Sequence, residues 1–137
     1  MKVLFDLNVL VDIARRWKKF PESLELYHRV LQNPSHEGGF PACGYTTLYY
    51  VLSQEISEST ARAFLKRFQQ TLRLLPFGEK TASSAQLLPL TDLEDACVAA
   101  TAAEAGYDVI ATRNVRHFAA SPVPAKLPKE LLLLLPS

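Results

Sequence analysis

The chain has 137 residues, 48% of them hydrophobic and 21% charged, with a formal net charge of +1. That length suits one domain, spanning residues 1–137, with a real core, and the composition excludes a disordered chain. The near-neutral balance excludes a grossly basic nucleic-acid binder, while leaving room for a local basic patch. Charges at Asp6 and Asp12 break any signal-peptide layout, and no apolar run is long enough to span a bilayer, so a cytoplasmic protein is expected. Cys43 and Cys97 have neither metal nor redox spacing and read as buried thiols, with a disulfide left open.

Val3, Leu4 and Phe5 form a continuous apolar run, the pattern of a strand buried on both faces of a parallel sheet. Residues 8–17 read as a helix, followed by the basic cluster Arg15, Arg16, Lys18 and Lys19. Pro21 suits the first turn of a second helix with the stripe Leu24, Tyr27, Val30 and Leu31. Residues 33–39, rich in Asn, Pro, Ser and Gly, read as a loop, and residues 40–43 as a short strand. A helix is expected from Thr46 or Thr47 through Leu52. Another, over residues 58–70, carries Ala61, Phe64, Leu65 and Phe68 on one face and Arg62, Lys66 and Arg67 on the other. Residues 72–76 read as a strand and 79–87 as a helix. Thr91 and Glu94 have capping-box spacing before an alanine-rich helix that Gly106 closes. A strand over residues 108–112 and a turn or short helix over 113–118 follow, and residues 131–135 read as an edge strand or docked tail. Alternating strands and helices imply βα units and a three-layer α/β/α domain with a parallel sheet.

Asp6 ends the first strand, where open α/β sheets place their ligand sites. It either caps the following helix or opens such a site, with Asn8 two residues on. Asp95 lies on a helix face made of Val98, Ala99 and Ala102, where a carboxylate is costly without a compensating cation. No Lys or Arg lies within residues 92–106, so the cation comes from an arginine elsewhere or from a metal. Asp92 sits one turn earlier; both it and Glu94 also suit a first helical turn. Thr112, Arg113 and Asn114 occupy a second strand end. Two strand ends and one acidic helix then meet the needs of Mg²⁺ or Mn²⁺, which take oxygen ligands and serve phosphoryl chemistry.

With these segments assembled, the chain resembles a PIN-domain protein over nearly its whole length. The resemblance is carried by residues 2–10 (KVLFDLNVL), 46–52 (TTLYYVL), 92–96 (DLEDA) and 111–114 (ATRN), followed by Phe118. It implies a four- or five-stranded parallel sheet between helices and a metal-dependent ribonuclease. Many bacterial members are VapC-type toxins silenced by a small antitoxin, and a homodimer is implied as well. The family's acidic ligands fall on Asp6 and Asp95, and Asn8 and Asn114 match polar positions beside the metal. Two positions depart from the pattern. Thr47 stands where an acidic residue is common, and Asn114 and His117 stand where another Asp often lies. Two carboxylates remain, with Asp92 as the candidate third.

The expected catalytic residues are therefore Asp6, Asp95 and Asn114, the expected metal ligands Asp6, Asp95 and Asp92, and the expected RNA contacts Asn8, Arg113 and Arg116. The alternative is a degenerate domain that binds RNA or a protein partner without cutting. A dinucleotide-binding domain is disfavoured, because no glycine-rich fingerprint follows the first strand. The cluster Arg15, Arg16, Lys18 and Lys19 either tracks a phosphate backbone or is a solvated helix end. His117 reads as a lone surface histidine, and Asp12 as an exposed helix residue or a bond to a nearby loop. Tyr49, Tyr50 and the helix around Phe64 and Phe68 are the expected two-fold interface.

Overall fold

In the computed structural model, which describes residues 1–135, five parallel strands run in the order β3-β2-β1-β4-β5. They are β1 (Lys2–Phe5), β2 (Glu37–Pro41), β3 (Arg73–Leu75), β4 (Val109–Ala111) and β5 (Ala125–Lys126). The helices are α1 (Leu7–Arg15), α2 (Pro21–Gln32), α3 (Tyr45–Glu55), α4 (Glu58–Thr71), α5 (Glu79–Leu87), α6 (Leu93–Glu104) and α7 (Pro128–Leu134). The alternation of β1 side chains fixes the layers. Val3 and Phe5 point into a core built with α1, α2, α3, α4 and α7, while Leu4 packs with Val98, Ala99 and Ala102 of α6. Ala85 of α5 meets Ala96 and Ala100 of α6 on that second side. The three-layer α/β/α expectation is met.

Local differences from the sequence expectations each have a cause. Helix α1 stops at Arg15 because Arg16 adopts a left-handed conformation (φ 50°), its N–H returning to the Asp12 and Ile13 carbonyls. Gly38 and Gly39, expected in a loop, are strand residues. A Cβ at Gly38 would lie 2.6 Å from Leu72 Cδ2, and one at Gly39 would lie 2.7 Å from Tyr107 Oη. Glycine is here a demand of close packing on an interior strand. Of the two readings for the leucine run, the docked tail is met and the edge strand is not: residues 131–134 close helix α7, which Pro128 starts, and Leu135 is its extended C-cap. Leu131 is fully buried, and Arg29 Nη1 donates to the carbonyls of Leu132 (3.0 Å) and Leu135 (3.4 Å). The fifth strand comes instead from Ala125 and Lys126, paired to β4. Phe68 is fully buried edge-on to Tyr27, with ring centroids 5.9 Å apart, so it cannot belong to a surface interface. Tyr50 is 63% exposed, and Tyr49 is half-buried with the Arg62 guanidinium over its ring.

Candidate metal and nucleic-acid site

The register of β1 on β4 pairs Phe5 with Ala111, so Asp6 and Thr112 leave the sheet side by side. The Asp6 backbone N–H donates to the Ala111 carbonyl (2.9 Å), which locks that edge. Asp6 both caps α1 and faces inward: Oδ1 accepts from the Leu7 N–H (2.9 Å) and Oδ2 from the Thr112 hydroxyl (2.8 Å). The residue is only 7% exposed. Burial pushes its carboxyl from 3.8 up to about 6, the two hydrogen bonds pull it back, and the charges of Asp95 and Glu94 push it further up. The electrostatic coupling joins the β1 edge to the start of α6.

At that start, Asp92 is the N-cap, and its Oδ1 accepts from the Asp95 N–H at 3.0 Å. This replaces the expected box between Thr91 and Glu94, because Asp92 reaches the third N–H of the helix first. One oxygen of Asp92 is thereby occupied, while Glu94 is released from capping. Burial raises the Glu94 carboxyl, and Asp92 and Asp95 raise it further. Asp95 is raised by burial and by Asp92, and lowered by His117, whose Nδ1 lies 3.5 Å from Oδ2. His117 is therefore not solitary, although its side chain is 60% exposed. Asp92, Asp95, Arg116 and His117 line one open groove.

The β4 end is built around Thr112, fully buried, whose hydroxyl oxygen also accepts from Asn8 Nδ2 (3.3 Å) and the Asn114 N–H (3.0 Å). Asn8 Oδ1 accepts from the Arg113 N–H (3.2 Å), so both ends of its amide hold the turn. Asn114 does not line the groove of Asp92 and Asp95; it lines a neighbouring one with Arg113. Asp12, expected on an exposed face or a loop contact, is 1% exposed and ion-paired to Arg113, with Nε to Oδ2 at 2.9 Å. Its place on the stripe of Val9 and Ile13 was the available signal. Glu94 is the other residue that sequence reasoning passed over, since a capping role already explained it. Thr47 is half-buried in the first turn of α3, which follows a 3-10 turn (Ala42–Gly44) whose Gly44 packs against Leu7.

Asp6, Glu94 and Asp95 repel one another, and no Lys or Arg pairs with them among the described residues. Among those residues no set of three or more His, Cys, Asp or Glu side chains converges as a complete metal cage. Such a donor set, all oxygen, anionic and incomplete, fits Mg²⁺ or Mn²⁺, which are held by one or two carboxylates and retain water. It does not fit a closed structural zinc site.

The fold is an open α/β sheet whose strand β1 leads into an acidic residue, at the edge where such sheets place their ligand sites. The PIN domain model matches residues 2–116, and the chain belongs to the PIN-domain family. Among solved structures it is similar to VapBC2 from Rickettsia felis bound to a DNA fragment from its promoter (TM-score 0.73, 15% identity, 93% of this chain and 98% of that chain). It is also similar to FitAcB from Neisseria gonorrhoeae (TM-score 0.70, 20% identity, 93% and 98%). A third likeness is to VapC20 from Mycobacterium tuberculosis, a Sarcin-Ricin loop cleaving toxin (TM-score 0.64, 11% identity, 79% and 86%). At these identities the likeness is one of fold. No curated protein matches the chain in sequence. Among the described residues no helix is long and apolar enough to cross a membrane.

Proposed function

We propose that the protein is a Mg²⁺- or Mn²⁺-dependent endoribonuclease and the toxin of a pair with a small antitoxin protein, working in the cytoplasm. The observation that carries this reading is the Asp6 carboxylate, buried at the end of β1 and close enough to Asp95 and Glu94 to feel their charges, with no Lys or Arg paired to any of the three among the described residues. A bound divalent cation supplies charge to phosphate oxygens and acidifies water. Asp6 and Asp95 are the side chains to hold it, with Asp92 at the groove wall. Thr112 keeps Asp6 in one orientation, and Asn8 and Asn114 fix the turn that carries Arg113 and Arg116 to the RNA. The structural relatives support the antitoxin partner, since the Rickettsia and Neisseria proteins are named as complexes.

Calorimetric titration with Mn²⁺, run beside cleavage of single-stranded RNA, tests the assignment. Asp95→Asn should remove Mn²⁺ binding while preserving the circular dichroism spectrum. Cleavage should fall by about 100-fold or more, the scale of losing a charge-stabilising group from a reaction. Unaltered Mn²⁺ affinity in that variant refutes the ligand assignment. A second reading, a domain that binds RNA or protein without cutting, is favoured by Thr47 and by the absence of a third converging ligand among the described residues. Metal binding without cleavage would select it.

A two-fold dimer completes the proposal, seated on exposed Tyr50 with half-buried Tyr49 and Phe64. Light scattering at micromolar concentration should give twice the 15.3 kDa chain mass, and Tyr50→Glu should return the monomer. A wild-type monomer at that concentration would remove the dimer from the proposal.

A further inference from the structure

Arg113 is held more tightly than a substrate-gripping surface arginine needs to be. Its Nε and Nη2 donate to Asp12 Oδ2 (2.9 Å) and Oδ1 (3.3 Å), and Asp12 also accepts from the Ser23 hydroxyl (3.0 Å). The guanidinium carbon lies 4.3 Å from the Phe20 ring centroid and 5.5 Å from that of Trp17. One edge and one face of the group are thus fixed, while Nη1 has no protein acceptor among the described residues. A buried ion pair is a poor device for stability, because an apolar pair of the same shape avoids the desolvation cost. It is a good device for holding a planar donor at a set angle.

The clamped arginine lines a groove of about 370 Å³ with Lys19, Glu22, Ser23, Asn114 and Lys129. Lys19, Lys129 and Arg113 face Glu22, with Arg113's charge matched by Asp12 behind it, so the groove keeps a net positive balance. The groove's size is at the low end of small-ligand sites, enough for about one nucleotide. Asn114 is on its wall, and two residues later Arg116 begins the lining of the acidic groove that holds Asp95. An anion seated here lies along the same strand-end turn as the carboxylates, which themselves repel anions. Fixing the arginine in advance removes the entropy cost of ordering it on binding.

We propose that this groove is a phosphate subsite for the RNA strand, taking the backbone phosphate of a nucleotide neighbouring the cleavage position, with Asp12 as the residue that positions Arg113. This rests on the nuclease reading for the identity of the strand. The binding itself can be tested without catalysis.

Trp17 is the only tryptophan of the chain, and its ring carries Arg15, Lys19 and Arg113 within 6 Å, so its fluorescence reports on this groove. The probe is a single-stranded RNA hexamer titrated into the whole protein with a chelator present, so that no divalent metal takes part. The hexamer should alter Trp17 fluorescence, and inorganic diphosphate should compete with it. Lys19→Ala combined with Lys129→Ala should weaken binding about tenfold or more and flatten its salt dependence by roughly 0.7 per lost phosphate contact. Asp12→Asn gives the sharper result. Removing a negative charge should tighten binding if only net charge matters, and should weaken it about tenfold if Arg113 must be held. Tighter or unchanged binding in Asp12→Asn overturns the positioning role, and unchanged binding in the folded double-lysine variant overturns the subsite. Should Asp12→Asn not fold, Phe20→Leu tests the same clamp from its other face, with the same outcomes. Equal competition by hexaglutamate would replace RNA with an acidic protein segment as the occupant. Groove-dependent binding without Mn²⁺-dependent cleavage would retire the nuclease reading and keep the subsite; the reverse pattern would do the opposite.

Discussion

Metal-free protein should lose about 3 kcal/mol of folding stability through Asp6 alone as the pH rises from about 4 to about 7. The Asp6 carboxyl titrates near 6 in the folded chain against 3.8 when unperturbed. Below 3.8 both forms are protonated and the folded state carries no penalty. Between the two values the unfolded chain releases its proton first, which favours unfolding, and the penalty is complete once the pH passes about 6. Glu94 and Asp95 are raised in the same direction and add to the slope. Urea melts at stepped pH should show the decline, and Asp6→Asn should remove Asp6's share of it. At neutral pH that variant should gain about 1–2 kcal/mol, less than the full penalty, because the Thr112 hydroxyl loses its charged acceptor. Saturating Mn²⁺ should restore the wild-type protein by on the order of 10 °C near pH 7.5 and do little near pH 4.5. An identical pH slope in wild type and Asp6→Asn would show that the carboxyl is not buried as described.

Gly39→Ala should destabilise the protein by about 2–3 kcal/mol, a large effect for one methyl group. Gly39 lies in β2, next to the central strand, and the new Cβ would sit 2.7 Å from Tyr107 Oη and 2.9 Å from two of its ring carbons. The ring would have to leave a buried position among Leu4, Val98 and Ile110, and its hydroxyl would lose the 2.6 Å bond it donates to Glu37. Combining Gly39→Ala with Tyr107→Leu should therefore cost less than the two changes summed. Gly78→Ala is the internal control: nothing lies within 4 Å of a Cβ there, and the change should cost less than about 1 kcal/mol. Equal effects at the two glycines, measured by urea melts, would refute the packing argument.

The parts of the fold that could be read from sequence are those where local pattern and tertiary role coincide. Val3 to Phe5 is apolar because the strand is covered on both faces, and Asp6 breaks the run where the sheet ends. The alanine-rich α6 shows its small-residue packing face in the same way. The glycines of β2 misled because composition marks a glycine pair as a loop, whereas the space left by Leu72 and Tyr107 decides the matter. The leucine run of α7 has no period in it to separate strand from helix; Pro128 and the contact with α2 do. In the site, the strand-end place of Asp6 and the small-residue helix face around Asp95 could be read from sequence, though not what either carboxylate meets. For Asp12 the loop contact was one of two readings, but its partner could not be named, because Arg113 lies 101 residues away and only the fold brings them together. Glu94 was hidden by competition: two neighbouring side chains suited one cap, and sequence spacing does not say which takes it.

The sheet ends in short strands on both flanks, β3 with three residues followed by Pro76 and β5 with two residues between Pro124 and Pro128. So little free backbone at either margin gives no template for another chain to extend the sheet, which guards the protein against edge-to-edge aggregation. The same shortness limits how any protein can embrace it. A partner gains almost nothing by adding a strand, and must be recognised through helix faces and side-chain grooves.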